Sequence, residues 1–410
     1  MLSVRDALAT VLEAVRPAPA EEVPLLGALG RVLARDVVSR LEIPPFPNSQ
    51  MDGFAVRSAD LLGATASSPR RLRLAGAVAA GEVTATSVRP GEALRIMTGA
   101  PLPRGADAVV RLEDARETEG AVEMLRAPAP GEFVRAAGED VRAGETVLAA
   151  GRPLRPADIG LLASIGCPSV AVASAPRVAL LATGDELTPL GEPLAPGRIY
   201  NSNAYALAAA VRQSGGRPWL APIVRDEPAE VREGLRRVAT CDVVLSIGGV
   251  SVGDRDYVRG ALESLGIRWR FWRVAQKPGR PLAFASRDGQ LYFGLPGNPV
   301  SALVCFLLYV APALRKASGR RDRFAATAEV EMEEDVATAG DVTELVRCRL
   351  RRAAGRWIAA PAGTQSSGAL APLARADALV VSDPGVERLE VGRRYRALRL
   401  DRWSERNPFG

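Results

Sequence analysis

Between residues 176 and 317 the chain alternates two textures, and this alternation restricts its possible folds more than any other feature. RVALLATGDEL, WLAPIV, DVVLSIGGVSVGD and LYFGL are apolar runs of strand length, and three of them lead into glycine-containing turns. Between and after them, NSNAYALAAAVRQSGG, EPAEVREGLRRVA, DYVRGALESLG and PGNPVSALVCFLLYVAPAL have helical spacing. Asn201 or Ser202 can start the first of these helices, and Gly215 can end it. Alternating β and α units of this size predict a parallel sheet with helices on both faces. Ligands of such sheets bind beyond the carboxyl ends of the strands, so chemistry is expected at the strand-to-helix turns.

The flanking segments read differently. Ser3–Val15 places Val4, Ala7, Leu8, Val11, Leu12 and Val15 on one face of a helix that Ser3 can cap. Pro44, Pro45 and Pro47 then impose a stiff, extended connection. Residues 54–175 are short apolar runs broken by Gly and Pro, which predicts β-rich structure with many turns. After residue 318 the runs FAATAEVEME, TELVRCRLRR, RWIAAPA, ALVVSDP and RYRALRL predict a small barrel or sandwich. A chain of 410 residues has material for about two to four domains. The longest apolar stretch, Val300–Leu314, is short for a membrane span of about 20 residues and contains Pro312, so a buried core helix is expected. The first residues lack the basic and apolar regions of a signal peptide, so the expected setting is cytoplasmic, with no membrane.

Composition removes several kinds of chemistry. The chain has no histidine, which excludes Ser-His and Cys-His nucleophiles and histidine metal sites. The four cysteines, Cys167, Cys241, Cys305 and Cys348, are far apart in apolar contexts, so a cysteine zinc or redox site is not expected. The net charge of +6 arises from charges mixed along the chain, with only 5% aromatic residues. That pattern suits a small anionic ligand and no nucleic acid. Only Lys277 and Lys316 are lysines among 53 basic residues. Lys316 reads as a solvated helix end. Lys277, in the turn QKPGRP, suits a compact charge beside an oxyanion, and Arg280 adds a second cation to that turn.

IGGVSVGD supplies Gly248, Gly249 and Gly253 ahead of a helix start, an arrangement that can cradle phosphate. It is neither a Walker loop nor GxGxxG. LPGNPVS is a second such turn, with Pro299 suited to the first helical position and Asn298 free to bind polar ligand edges. Asp185 and Glu186 in TGDEL, Asp226 in VRDEP, and Asp254 and Asp256 after IGGVSVG would converge on one edge of a parallel sheet. Each alone can be a helix cap. As a set beside a phosphate site they suit Mg²⁺. MDGFAV and MTGAPLP place Asp52 and Thr98 next to glycines, either as ordinary turns or as a close backbone approach to ligand.

PPFPNSQMDGFAV, IMTGAPLPRGADAVV, AGEDV, ATGDEL, GRIYNSN, SIGGVSVGDRDY, QKPGRP and GLPGNPVSALV, in this order from about residue 1 to 400, resemble the molybdopterin molybdenumtransferase family. The resemblance implies four domains: an elongated dimerisation domain from 1–43 and 141–175, a β-rich domain at 44–140, a molybdopterin-binding α/β domain at 176–317 and a C-terminal β-barrel at 318–410. It implies a homodimer whose cleft joins two chains, with Asp52, Thr98 and Asp140 acting across the interface. Glu186, Asp226 and Asp256 match acidic positions that would hold Mg²⁺. Lys277 and Arg280 match a basic pair at a molybdate site, where family members often carry a second Lys in place of Arg280. Arg347, Ser366 and Ser367 would complete that site. The pterin would lie on Thr183, Gly184, Asp185, Ser246, Gly248, Gly249, Ser251, Gly253, Pro296, Gly297 and Asn298.

The activity the resemblance implies is Mg²⁺-dependent insertion of molybdate into adenylylated molybdopterin, with release of AMP. The adenylyltransferase of the preceding step and molybdoenzyme chaperones would be its protein partners. Two alternatives stay open: adenylyl transfer to molybdopterin itself, and a non-catalytic pterin-binding scaffold.

Overall fold

The computed structural model describes residues 1–249 and 257–410, so Ser251, Gly253, Asp254 and Asp256 lie outside the described residues. At its centre is a six-stranded sheet in the order Arg217–Leu220, Arg177–Ala182, Val243–Ile247, Gln290–Leu295, Ala283–Arg287, Trp269–Phe271. The first four strands are mutually parallel. Their buried, nearly continuous apolar runs suit a sheet covered on both faces. Helix Ser202–Gln213 packs on one face with Pro299–Cys305, and Pro228–Arg237 packs with Tyr257–Ser264 on the other. Asn201 is the residue that caps the first helix, accepting from the Ala204 amide at 3.3 Å.

The sheet is mixed rather than wholly parallel. Ala283–Arg287 runs antiparallel to Gln290–Leu295 and to Trp269–Phe271. The hairpin turns at Asp288 (φ 53°) and Gly289 (φ 92°), the pair of positive φ values that a tight Asp-Gly hairpin turn requires.

The apolar run after residue 299 forms a buried helical segment, Pro299–Cys305, Phe306–Val310 and Ala311–Ala317, whose middle part widens to i→i+5 geometry. It is long and apolar enough to cross a membrane, but 78% of it is buried inside the protein. The core it belongs to extends from the central sheet to Phe324, Leu345, Leu379 and Leu398 of the C-terminal segment. The N-terminal helix Val4–Ala14 also buries Val4, Ala7, Leu8 and Val11 in this core. It therefore packs with the central unit and not with residues 141–175, which have a separate core with Leu33, Leu148 and Leu162. Lys316 is not a solvated helix end: its Nζ donates to the Leu12 carbonyl at 2.7 Å and ties the N-terminal helix to the long one.

In the C-terminal segment, Thr343–Ala353 pairs with Arg356–Pro361 and Ala378–Ser382, while Phe324–Met332 pairs with Arg356–Pro361 and Arg394–Ser404. Ala378–Ser382 also pairs with Arg394–Ser404, so the pairings return to their starting strand. A short strand, Gln276–Lys277, adds to this ring from outside, in parallel with Thr343–Glu344.

Residues 53–124 form another six-stranded sheet around Phe54, Leu61, Leu72, Val110 and Met124. Its rim is stitched to the proline-rich connection: Asn48–Ser49 pairs with Val134–Arg135, and Ile43 bridges Val141. Three cysteines are buried, whereas Cys167 is only partly so.

Candidate active site

Three neighbouring parallel strands end in the turns carrying Thr183–Gly184, Gly248–Gly249 and Gly297–Asn298. The Thr183 amide donates to the Ile247 carbonyl at 3.1 Å, and the Gly248 amide donates to the Leu295 carbonyl at 3.1 Å. A Cβ on Gly297 would stand 3.9 Å from the Gly248 Cα, so these two turns face each other closely. Gly248 and Gly249 have φ of 87° and 65°. A Cβ on Gly248 would meet the Thr183 carbonyl at 3.0 Å, and one on Gly249 would meet Val258 at 2.9 Å. The space over these backbones exists only because they are glycines. Thr183 is buried, and its hydroxyl has no hydrogen-bond partner among the described residues. A buried hydroxyl left unmatched points to a missing partner. Asn203, in the GRIYNSN motif, donates to the Gly297 carbonyl at 2.6 Å and fixes the second turn. The sequence marks that motif as a helix start and as one of the family motifs, and assigns Asn203 no role.

Ser246 behaves differently from the other cradle residues. It is buried within its strand, and its hydroxyl donates to the Phe293 carbonyl at 3.4 Å, so it serves the sheet. Pro296 is buried, whereas Asp185 is exposed and its carbonyl accepts from Arg198 at 2.6 Å.

Glu186 is exposed and Asp226 partly so. The backbone brings their strand ends together, since Thr183 bridges Val224 and the Gly184 amide donates to the Val224 carbonyl at 3.2 Å. The Glu186 carboxylate folds back until a Cβ on Gly184 would be 2.6 Å from it. Among the described residues no three carboxylate or thiol side chains gather closely enough to hold a metal. The third acid expected here, Asp256, lies outside them.

The cationic turn lies at the seam between the central core and the C-terminal ring. Lys277 Nζ is 2.9 Å from Glu344 Oε1, and Arg280 Nη2 is 3.6 Å from Asp341 Oδ2. Neither acid was visible as a site residue in the sequence. Their nearness comes from the pairing of Lys277 with Glu344. Beneath the turn, Gln276 is fully buried. Its Nε2 donates to the Pro278 carbonyl at 3.1 Å, and its Oε1 accepts from the Tyr309 hydroxyl.

Arg347, on the strand with Glu344, is also buried. Its Nη2 donates to the Thr364 carbonyl at 3.0 Å, and its backbone amide donates to Gln365 Oε1 at 2.9 Å. Its Nε and Nη1 have no partner among the described residues. Burial lowers the Arg347 pKa, and the Glu344 charge works against that shift. The loop after Gln365 closes over the glycine turns: Asn298 Nδ2 donates to Ser367 Oγ at 3.0 Å, and the Val300 amide donates to the Ser367 carbonyl at 3.1 Å. Ser366 is exposed.

Asp52 and Thr98 meet on the rim of the β-rich sheet. The Thr98 amide and hydroxyl both donate to Asp52 Oδ1 at 2.7 Å. These bonds, the backbone one first, hold the Asp52 carboxyl below its ordinary range. Gly53 is glycine for a structural reason, not for a ligand: a Cβ there would lie 2.0 Å from the Val110 carbonyl oxygen. Asp140 is exposed, and its amide donates to the Ile43 carbonyl at 2.9 Å.

A cavity of about 660 Å³ opens near Arg16, Asp242 and Gln290, at the amino ends of the parallel strands. It contains none of the motif residues and lies on the edge opposite the one where such sheets bind ligands.

Residues 2–166 match the model of the MoeA N-terminal region (domains I and II), residues 179–316 that of a probable molybdopterin-binding domain, and residues 329–398 that of the MoeA C-terminal region (domain IV). The chain is 38% identical to the molybdopterin molybdenumtransferase of Nostoc sp., covering 98% of this chain and 94% of that one. It belongs to the molybdopterin molybdenumtransferase family. The Bacillus subtilis relative of the same name is 34% identical, over 97% of this chain and 94% of its own length. A crystal structure of the molybdopterin biosynthesis MoeA protein of Pyrococcus horikoshii superposes with a TM-score of 0.86 at 31% identity, covering 98% of this chain and all of that one. The chain is accordingly an enzyme of this family with the MoeA-type multidomain fold.

Proposed function

We propose that the enzyme acts in molybdenum cofactor biosynthesis, inserting molybdate into adenylylated molybdopterin with release of AMP. One observation carries this reading: a buried arginine, Arg347, keeps two guanidinium nitrogens unpartnered among the described residues, one strand away from Lys277. Unmatched buried donors are costly unless a ligand meets them. A guanidinium and an ammonium carried on paired strands suit a tetrahedral oxyanion. The relatives' names make molybdate the fitting one.

In this reading the pterin's phosphates rest on the glycine turns, and the Thr183 hydroxyl takes a ligand acceptor or donor. Gly184, Gly248, Gly249 and Asn298 hold the backbone open. Lys277, Arg280 and Arg347, with Ser366 and Ser367, hold molybdate beside the dithiolene. Water hydrolyses the pyrophosphate to AMP and the pterin phosphate as the two dithiolene sulfurs replace two molybdate oxygens, which take up protons and leave as water. Without histidine, the chain contributes position and charge. Glu186 and Asp226 supply hard oxygen donors at adjoining strand ends, which fits Mg²⁺, with Asp256 as the third ligand. Bound there, the ion would neutralise pyrophosphate charge.

We also assign residues 1–43 and 141–175, 44–140, 176–317 and 318–410 to four domains, with Val4–Ala14 docked on the third. Asp52, Thr98 and Asp140 serve a cleft shared by two copies in a cytoplasmic homodimer.

The decisive assay is AMP release from adenylylated molybdopterin, with and without molybdate and Mg²⁺. Release that depends on both supports the reading. Formation of the adenylylated pterin from ATP would move the chain to the preceding step. Tight pterin binding with neither reaction would leave a scaffold.

A further inference from the structure

Both cations of the QKPGRP turn are paired with acids. Lys277 Nζ meets Glu344 Oε1 at 2.9 Å, and Arg280 meets Asp341 at 3.6 Å. The two acids differ in how firmly they are held. The Asp341 side chain is 67% exposed and its ion pair is long, so solvent screens it. The Glu344 side chain is 6% exposed, and its other oxygen accepts the Ala339 amide at 2.7 Å. Glu344 is thus a fixed negative charge at the cationic turn. It also lies three residues before Arg347 on the same strand, close enough for its charge to act on that guanidinium.

From this geometry, and resting on the reading of this seam as the oxyanion site, we propose that Glu344 is an affinity-setting residue, an internal counter-anion that competes with incoming tetrahedral oxodianions for Lys277. A carboxylate anchored by a backbone amide cannot swing away, so an entering dianion must share the ammonium with it. That repulsion weakens every free dianion, including the sulfate or phosphate that Lys277 and Arg280 would otherwise attract. It leaves a ligand held in addition by pterin contacts able to prevail. The opposing role, in which Glu344 merely orients Lys277, makes the reverse prediction, because loss of orientation would weaken binding.

The test is calorimetric titration of the intact enzyme with molybdate and, separately, with sulfate, for wild type, Glu344→Gln and Lys277→Ala. The Gln variant keeps an acceptor for the Ala339 amide and removes the charge. Removing a unit charge about 6 Å from a dianion in a water-like dielectric predicts binding about tenfold tighter for both ions. In turnover, the molybdate KM should fall and inhibition by sulfate should deepen. Unchanged or weaker binding by Glu344→Gln overturns the proposal. If that variant does not fold, Glu344→Ser, which also removes the charge, is read instead: tighter binding supports the proposal, and unchanged or weaker binding overturns it. If Lys277→Ala binds molybdate as wild type does, the oxyanion site itself lies elsewhere. That outcome overturns the reading beneath the proposal and is distinct from a failure of Glu344 alone.

Discussion

Tyr309→Phe removes one oxygen from the centre of the protein, and the structure sets what that should cost. Tyr309 and Gln276 are both fully buried, and the Tyr309 hydroxyl donates to Gln276 Oε1. Without it, that carbonyl oxygen stays buried and unmade, which costs about 1–3 kcal/mol. Gln276→Leu should cost more, about 2–5 kcal/mol, because it strands the Tyr309 hydroxyl and also withdraws the donor to the Pro278 carbonyl. The double variant leaves only the Pro278 carbonyl short and should cost about 1–2 kcal/mol, less than the sum of the two single effects. The expected coupling is therefore favourable by about 4 kcal/mol. Urea midpoints at constant slope measure all three values. Strictly additive single effects, or a Tyr309→Phe effect below about 0.5 kcal/mol, would refute the buried network as described.

Further outcomes follow from individual contacts. Gly53→Ala forces a Cβ to within 2.0 Å of the Val110 carbonyl oxygen and should destabilise by about 3 kcal/mol or more, seen as a large fall in melting temperature. Thr98→Val removes the hydroxyl bonded to Asp52, so the Asp52 pKa should rise toward its ordinary value. A carboxyl with a depressed folded pKa gives stability that is present above its unfolded pKa and lost as pH falls through the folded one. The variant should lose that contribution at higher pH than wild type, and the acid limb of its kcat/KM profile should move up; an unmoved limb separates Asp52 from turnover. Asp52→Ala and Lys277→Ala should each abolish AMP release while gel filtration still shows an intact dimer. Unfolding of both would mean that structural residues had been read as site residues.

Much of the architecture was legible because strand and helix periods differ and glycine turns punctuate them. The apolar runs RVALLA, DVVLSI and LYFGL became adjacent parallel strands, and their glycine turns came together. The antiparallel strand Ala283–Arg287 was missed although its signal was present: Asp288-Gly289 between two apolar alternating runs is a hairpin sequence. Lys316 was misread because its partner, the Leu12 carbonyl, is fixed by docking of a distant helix. The need for Gly53, left open in the sequence between a turn and a ligand approach, was hidden for a related reason, since a close approach to Val110 is a property of strand pairing and not of local sequence. Glu344 and Asp341 were invisible as site residues because only the parallel pairing of Gln276–Lys277 with Thr343–Glu344 brings them to the turn.

The long buried helix explains how these distant pieces form one site, and it gives the stability cycle a functional counterpart. Its first residue, Pro299, follows Asn298 of the glycine cradle. Nearly two turns further on, Cys305 Sγ donates to the Gly279 carbonyl at 3.4 Å, and Tyr309 in the widened segment reaches Gln276, so the helix grips the cationic turn from below. Gly279 has φ of 94°, and a Cβ there would lie 2.5 Å from Cys305 Sγ, so no larger residue lets the turn sit this close. Cradle and cationic turn are thus attached to separate places on one rigid element. Loss of the Tyr309 hydroxyl should therefore loosen the Lys277–Arg280 turn and leave the cradle alone. In steady-state kinetics the molybdate KM should rise severalfold while the pterin KM stays within about twofold, because only one set of binding contacts is disturbed. Equal changes in both constants would show that the helix transmits the perturbation along its length, and that the two subsites are not held independently.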